Sequence, residues 1–485
     1  MRVRLLFKLL GALNAAIGAT MLLPLALALA DGTPDASAFA IALGVTVAAG
    51  AAAYLANRRV NEPLSHRDGF LLVGLAWITA CFFGALPFWF SGYFGHFTNA
   101  YFESVSGYTT TGSTILADIA AVPRASLFWR SLIQWIGGMG IIVLSLAILP
   151  MLGVGGMQLF KAEVPGPTTD KLQPHIRDTA AQLWKVYVII TAAEIVLLML
   201  GGMDWFEAVC HSFTTLATGG FGTRPDSFMS THSAFLDGVT TFFMILAGVN
   251  FSLHYLALKG DWRSYLRDGE FKVYLTILAA ATLILAAFLR FGGLYSSLGE
   301  ALRHAAFQAV AIVTTTGYNS ADFEAWGAKA PLAPLLLFVL MFVGGSAGST
   351  GGSIKVIRLW LVLKHGYREL FRLIHPRAVK AVKVGNRTVP EPVLDAVASF
   401  FGLYIVVFVA AAMMIASFGH DLVTSFSAAA TALGNVGPGL GTVGPLDNFD
   451  HLQIPVKWVL IACMLLGRLE LYTLLVLFVP EFWRK

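Results

Sequence analysis

The sequence predicts an all-α membrane protein that crosses the bilayer several times and is built from four similar units around a central pore. The composition supports the first part of this prediction, because 57% of the 485 residues are hydrophobic and only 13% are charged. Soluble domains carry roughly 25% charged residues. The mean hydropathy is +0.72. The second part rests on a short glycine-containing segment that occurs four times along the chain.

Each of the four copies contains a glycine that follows one or more threonines within three residues. They read TTTGST at 109–114, LATGGFGT at 216–223, TTTGYNS at 314–320 and, more loosely, TALGNVGPG at 431–439. We take one glycine of each copy as equivalent, namely Gly112, Gly219, Gly317 and Gly434, at spacings of 107, 98 and 117 residues. A period of this size indicates an internal four-fold repeat.

Each repeat is expected to contain a spanning helix, a shorter re-entrant helix that ends in the glycine turn, and a second spanning helix. A helix needs about 20 apolar residues to span the bilayer, and the re-entrant segments are too short. The predicted repeats cover residues 68–152, 180–260, 270–363 and 393–485. Their second spans are predicted at 125–150, 234–258, 333–362 and 454–480. Residues 1–60 are predicted to form two extra N-terminal transmembrane helices, which gives ten spans.

The first helix has an alternative interpretation as a cleavable signal peptide, because Arg2, Arg4 and Lys8 precede an apolar run. The run covers residues 9–30, and its 22 residues exceed the roughly 7 to 15 of a signal peptide. This length favours a retained helix.

The distribution of basic residues predicts the orientation. Ten spans place both termini on one side, and 25 of the 33 Lys and Arg residues then lie on that side. Because basic residues are enriched in cytoplasmic loops, both termini are predicted to be cytoplasmic. The four glycine turns then lie in the outer half of the membrane.

Four non-helical turns at membrane depth predict a selective ion pathway. Such backbone must be buried in protein or line a wet cavity, and rings of backbone carbonyls can replace the hydration shell of a cation. A single Thr-Thr-Gly is more typical of a helix C-cap, but four copies favour a pore. Since no turn contains a carboxylate, a monovalent ion is expected. The predicted filter residues are Thr110, Thr111, Gly112, Thr218, Gly219, Thr315, Thr316, Gly317, Leu433, Gly434 and Asn435.

These motifs, together with GGSAGSTGGSIK at 344–355 and GRLELY at 467–472, resemble the Trk/Ktr/HKT superfamily of potassium transporters. They are most similar to its TrkH branch, the membrane subunits of the bacterial Trk system. The resemblance implies uptake of potassium and rubidium across the cell inner membrane, with K⁺ as substrate and no organic cofactor. Filter glycines at all four positions are the potassium-selective pattern of the family. The implied partners are a second copy of the chain, the lipid bilayer and a cytoplasmic ring of TrkA-like nucleotide-binding gating subunits, but no nucleic acid.

The glycine-rich segment in the third repeat is a candidate gate. Its five glycines are Gly344, Gly345, Gly348, Gly351 and Gly352. Glycine costs about 1 kcal/mol relative to alanine inside a helix, so the helix is expected to break there. A phosphate-binding loop is a poor interpretation, because Lys355 is not preceded by glycine. A packing face of small residues is the structural alternative, whereas the resemblance implies an intramembrane gating loop.

Arg468 lies about 18 Å into the last predicted span. A charge at that depth is costly unless it faces water or a partner. The structural alternative is a salt bridge with Glu470 or a contact with the end of another helix. The resemblance implies instead a pore-facing positive charge that opposes the passage of potassium.

Other polar residues of the re-entrant segments have simpler explanations. Glu103, Glu207 and Glu300 are expected to act mainly as helix-dipole partners, although they are also placed to attract cations, and His211 lies among them. No catalytic triad, carboxylate pair or metal cluster is evident, so an enzyme is not predicted. Two other classes of protein remain: a proton- or sodium-coupled potassium symporter, and a carrier for an organic solute with broken helices at mid-membrane.

Overall fold

Helices make up most of the structure, a computed structural model that describes residues 2–60, 65–147, 176–385 and 387–484. The strands in these ranges are one short antiparallel pair, Lys383–Val384 (β1) and Arg387–Thr388 (β2). Among the described residues, seven helices are long and apolar enough to cross a membrane, and two bent helix pairs bring the number to nine if each is one span. The predicted all-α, multi-span fold is confirmed.

The N-terminal segment forms a closely packed helical pair. Its helices are α1 (Val3–Thr20), α2 (Leu22–Asp31), which continues the path of α1, and α3 (Ala36–Ala56). A Cβ atom at Gly11 would lie 2.6 Å from the carbonyl oxygen of Gly50, so glycine allows α1 and α3 to approach backbone to backbone. The Ser126 hydroxyl of the first repeat donates to the Asp35 carboxylate at 2.8 Å and ties this pair to the rest of the fold.

Each repeat contains the predicted succession of helices. The first spans are α4 (His66–Ser91), α7 (Ile176–Leu200), α12 (Gly269–Phe291) and α16 (Glu391–Ser417). The re-entrant helices are α5 (Phe97–Tyr108), α8 (Trp205–Leu216), α13 (Leu298–Val313) and α17 (Leu422–Gly434). The second spans are α6 (Arg124–Ala147), α9 with α10 (Ala234–Ala247, Phe251–Leu258), α14 with α15 (Leu332–Leu340, Val356–Ile374) and α18 with α19 (Ile454–Arg468, Tyr472–Leu475). Short helices α11 (Arg263–Arg267) and α20 (Pro480–Trp483) lie between or after these elements.

The re-entrant helices have 12, 12, 16 and 13 residues. At 1.5 Å per residue they are about 18 to 24 Å long, which is less than the hydrocarbon thickness of about 30 Å. Three of them begin at a side-chain cap, since Asp204, Ser297 and Asp421 accept backbone N–H groups at 3.0, 3.2 and 3.0 Å. Chemistry visible in the sequence therefore determines where most of these helices start.

Three of the four second spans are broken, whereas the sequence predicted a break only in the third repeat. The helices expected to be continuous over 234–258 and 454–480 instead bend by 102° and 110°. In the second repeat a Cβ at Gly248 would overlap the Tyr274 hydroxyl, and Asn250 caps the next helix by accepting from the Ser252 amide at 2.9 Å. In the fourth repeat the break follows Arg468 and has no glycine.

Candidate ion pathway

The four turns after the re-entrant helices share one backbone geometry. Each begins with a residue in the left-handed region and reaches a left-handed glycine two positions later. The first residues are Thr110, Thr218, Thr315 and Asn435, with φ between 53° and 60°. The glycines are Gly112, Gly220, Gly317 and Gly437, with φ of 85°, 74°, 75° and 115°. Left-handed backbone is an outlier for β-branched threonine, and three such residues at one site indicate a constrained and functional structure.

The hydrogen bonds repeat with the same register. The residue between the two left-handed positions donates its N–H to a carbonyl five residues earlier, which is the long bond of a Schellman C-cap. These bonds join Thr111 to Ser106, Gly219 to Thr214, Thr316 to Ala311 and Val436 to Thr431, at 2.8, 2.8, 2.8 and 2.9 Å. The helix C-cap proposed as the structural alternative is therefore present in all four copies, as part of a larger shared structure.

This geometry corrects the predicted equivalence of the glycines. Gly112 and Gly317 occupy matching positions as expected, but the second and fourth matching glycines are Gly220 and Gly437. Gly219 stands one residue too early, and Gly434 is still the last residue of α17. The second and fourth copies each contain more than one glycine, and the local sequence does not show which of them takes the left-handed position. Leu433 and Gly434 thus belong to the helix and not to the turn.

The four turns meet in a closed ring of backbone contacts. A Cβ added to each left-handed glycine would contact the neighbouring turn. The atom it meets is the carbonyl oxygen of the middle residue, the one between the two left-handed positions of that turn. The contacts run from Gly112 to Gly219, from Gly220 to Thr316, from Gly317 to Val436 and from Gly437 back to Thr111, the last at 2.9 Å. Because a side chain at any of these four positions would force the neighbouring backbone to shift, the positions favour glycine both for conformation and for space.

Hydroxyl and amide groups brace the ring. The Thr109 and Thr111 hydroxyls are 2.8 Å apart, and the corresponding pair in the third turn, Thr314 and Thr316, is 2.9 Å apart. The Asn435 side chain, which replaces threonine in the fourth turn, donates to the Thr111 hydroxyl at 2.9 Å. These hydrogen bonds hold the turns in place.

A buried ion pair stabilises the segments that directly follow the first two turns. The Arg130 side chain of α6 is 1% exposed, and its Nε lies 2.7 Å from an oxygen of Glu103, which is fully buried in α5. The same guanidinium donates to the carbonyl oxygen of Gly222 at 3.1 Å and to the Thr114 hydroxyl at 3.2 Å. The Glu103 carboxylate in turn accepts from Thr114 and from the amide of Ile115. Glu103 is thus a structural residue, and its pairing with Arg130 was not foreseen.

The other polar residues of the re-entrant helices form ion pairs or hydrogen bonds, or lie where a carboxylate complements the helix dipole. Glu207 forms a two-pronged pair with Arg224 at 2.9 and 2.8 Å. Glu300 is exposed in the first turn of α13, where a carboxylate complements the helix dipole. His211 is buried beside the Tyr318 hydroxyl, which donates to the His211 carbonyl oxygen at 3.1 Å and links the third turn to α8.

A glycine-rich loop, residues 341–355, separates α14 from α15 and contains the five glycines proposed as a gate. Its Thr350 hydroxyl donates to the carbonyl oxygen of Leu216, the last residue of α8, at 3.0 Å. The Gly352 amide donates to the Thr315 hydroxyl at 2.7 Å, and a Cβ at Gly352 would overlap the carbonyl oxygen of Gly434. The loop therefore lies against the C-terminal ends of three re-entrant helices, directly next to the ring.

Arg468 is the last residue of α18 and is 2% exposed. Its two terminal nitrogens donate to the carbonyl oxygens of Thr350 in the loop, at 2.7 Å, and of Gly137 in α6, at 3.1 Å. The alternative salt bridge with Glu470 is not formed, because Glu470 pairs with Arg358 at 2.5 Å. The arginine thus connects the glycine-rich loop to the first repeat through neutral carbonyl groups.

We expect Arg130→Met to destabilise the fold by roughly 3 to 5 kcal/mol, because it leaves the buried Glu103 carboxylate without its counter-charge. Arg224→Met is the matched control, since Arg224 is 41% exposed and an exposed pair contributes roughly 1 kcal/mol or less. Thermal denaturation of the two purified variants in detergent provides the comparison. Equal losses in melting temperature would contradict the role given to the buried pair.

Comparisons with known proteins agree with this fold. The family model described as TrkH, cation transport protein, matches residues 35–485. The Trk system potassium uptake protein TrkH of Escherichia coli K12 is 43% identical over the full length of both chains. TrkI of Halomonas elongata, also named a Trk system potassium uptake protein, is 36% identical over 99% of this chain and 97% of its own length.

A solved structure is also similar over its whole length. The crystal structure of the potassium transporter TrkH from Vibrio parahaemolyticus superimposes with a TM-score of 0.92, at 39% identity, and each chain is covered completely. With the sequence matches, this similarity establishes a transport protein and not an enzyme. The chain belongs to the TrkH family of cation transport proteins.

Proposed function

We propose that this protein takes up potassium, and with it rubidium, across the bacterial cytoplasmic membrane through the ring of four turns. The observation that carries the proposal is the closed circle of carbonyl–glycine contacts, in which each repeat contributes one equivalent position. The names of the relatives, potassium uptake proteins and a potassium transporter, support the choice of ion.

The proposed filter consists of three residues from each turn, with the register taken from the backbone. These are 110–112, 218–220, 315–317 and 435–437. Backbone carbonyls would replace the hydration shell of the ion. Because the buried Glu103 carboxylate is engaged by Arg130 and Thr114, it is not offered to the ion as a ligand, which suits a monovalent cation better than a divalent one.

We further propose that the repeats extend over 68–152, 180–260, 270–363 and 393–485 and that both termini are cytoplasmic. The positive charges counted above support this orientation. A homodimer and a cytoplasmic ring of nucleotide-binding subunits are the proposed partners, and the basic segment 363–387 is a candidate docking region. The sequence relatives, which belong to a named Trk system, support association with other components.

Rubidium uptake into proteoliposomes tests the transport mechanism. With potassium, sodium and proton gradients set independently, we expect uptake to follow the imposed membrane potential alone. Gly112→Ser should still transport but lose discrimination against sodium, because its side chain would overlap the neighbouring carbonyl at Gly219 and widen the ring.

Uptake that starts only after a proton or sodium gradient is added would instead establish the coupled symporter. One feature favours this second candidate: the Glu194 carboxyl group is fully buried in α7. Such a group is a candidate for proton transfer in a coupled cycle.

The corrected register predicts different effects for two nearby glycines. Gly437→Ala should reduce selectivity for rubidium over sodium, since it forces alanine to a φ of 115° and places its Cβ 2.9 Å from the Thr111 carbonyl oxygen. Gly434→Ala keeps a helical backbone conformation, and its Cβ would lie 3.0 Å from the Met341 carbonyl oxygen, which belongs to the glycine-rich loop and not to the ring, so it should change selectivity much less. The ratio of the two uptake rates in each variant measures the effect, and a larger loss in Gly434→Ala would contradict the register.

We propose that the glycine-rich loop and Arg468 together form the gate. Deletion of residues 346–350 should raise rubidium flux, because it removes the segment that lies beside the ring. Arg468→Ala should also raise flux, whereas Arg468→Lys keeps the positive charge and should remain slow. The measurement is rubidium flux in each variant and in the unchanged protein, at equal protein density and with normal expression. Unchanged flux in both the deletion and Arg468→Ala would exclude this gate.

A further inference from the structure

Glu270 holds the glycine-rich loop from outside the ring. It is the second residue of α12, two positions after the N-cap Asp268, and is 2% exposed. Its Oε1 atom accepts the backbone N–H of Ala347, within the loop, at 2.9 Å. The same atom accepts the N–H of Ile357, in the first turn of α15, at 3.0 Å. One carboxylate oxygen therefore joins the middle of the loop to the helix that follows it.

Backbone hydrogen bonds also hold the two ends of the loop together. The Gly344 amide donates to the Ile354 carbonyl oxygen at 2.9 Å, and the Val356 amide donates to that of Gly345 at 3.2 Å, so the base of the loop is closed by backbone bonds. Glu270 adds a bond across the loop from a different helix. Because the first amides of a helix have no partner within it and carry a partial positive charge, the start of α15 is a favourable place for a carboxylate.

On the side away from Glu270, the loop contacts the ring, Arg468 and the second repeat. Its contacts reach the ring through Gly352 and reach Arg468 through the Thr350 carbonyl oxygen. The Ser346 amide also donates to the carbonyl oxygen of Gly248, at the break in the second repeat, at 2.8 Å. The loop thus spans the distance between the ring and Glu270, and α15 is attached to it at the Glu270 end.

We propose that Glu270 is the latch of the loop: its carboxylate oxygen holds Ala347 and the start of α15 together and thereby keeps the loop against the ring. A displacement of α15 would break these bonds and release the loop. Glu270 is a positioning residue in this scheme, since it acts through the loop and does not touch the ion. The inference rests on the proposed role of the loop as a gate.

The test compares Glu270→Leu with Glu270→Gln in proteoliposomes of the purified full-length chain, with rubidium flux as the readout. Leucine removes the acceptor, and we expect flux to rise about tenfold or more, since hydrogen bonds to a charged group bias an equilibrium by at least that factor. Glutamine keeps an oxygen that can accept both N–H groups and should restore nearly the original low flux. Equal flux in the two variants would overturn the latch.

A second background separates the latch from a general structural role. When residues 346–350 are deleted, Glu270→Leu should add nothing further to the flux, because the loop on which it acts is shortened; an added change would show that Glu270 acts elsewhere. Selectivity for rubidium over sodium should be unchanged in Glu270→Leu, and a loss would mean that the ring itself is damaged. If the deletion without Glu270→Leu leaves flux unchanged, the loop is not part of the gate, whereas fast flux in the deletion with slow flux in Glu270→Leu overturns the latch alone.

Discussion

The contact on which the rest of the structure depends is the close approach of each left-handed glycine to a carbonyl group of the next turn. It occurs four times and closes on itself, so each turn is positioned by its neighbours and not by its own sequence alone. Three threonines are held in a left-handed conformation at these turns, which costs roughly 1 to 3 kcal/mol each. The helices, caps and ion pairs around the ring must supply enough stabilisation to offset that strain.

The polar groups around the ring supply this stabilisation mainly through hydrogen bonds to the backbone. Gln134 donates to the Gly219 carbonyl oxygen at 2.7 Å and accepts from the Phe221 amide at 3.1 Å, which fixes both sides of the second turn. Arg130 likewise donates to the carbonyl oxygen of Gly222 in the second repeat. Arg468 donates to the carbonyl oxygens of Gly137 in the first repeat and of Thr350 in the loop. In a water-poor interior such satisfied networks are rigid, because an unpaired polar group there is costly.

Much of this architecture was predictable from the sequence, because repeats, apolar spans and glycine clusters are local patterns. The four units, the re-entrant helices, the break at 344–353 and the buried position of Arg468 all follow from such patterns. The register of Gly220 and Gly437 did not, since it is set by contacts between turns that are far apart in the chain. The break after Arg468 has left-handed Glu470 and Leu471 in place of glycine, and the pairing of Glu103 with Arg130 joins two helices. Neither carries a local sequence signal.

The last contact of the ring joins the first turn to the fourth. The Ser113 hydroxyl donates to the Gly437 carbonyl oxygen at 2.9 Å, and Asn435 reaches Thr111, each across 324 positions of the chain. During synthesis the first three turns are therefore made long before their circle can close. The ring is completed only when the C-terminal quarter of the protein has been synthesised, so a chain that stops early has its first helices in place but no closed ring.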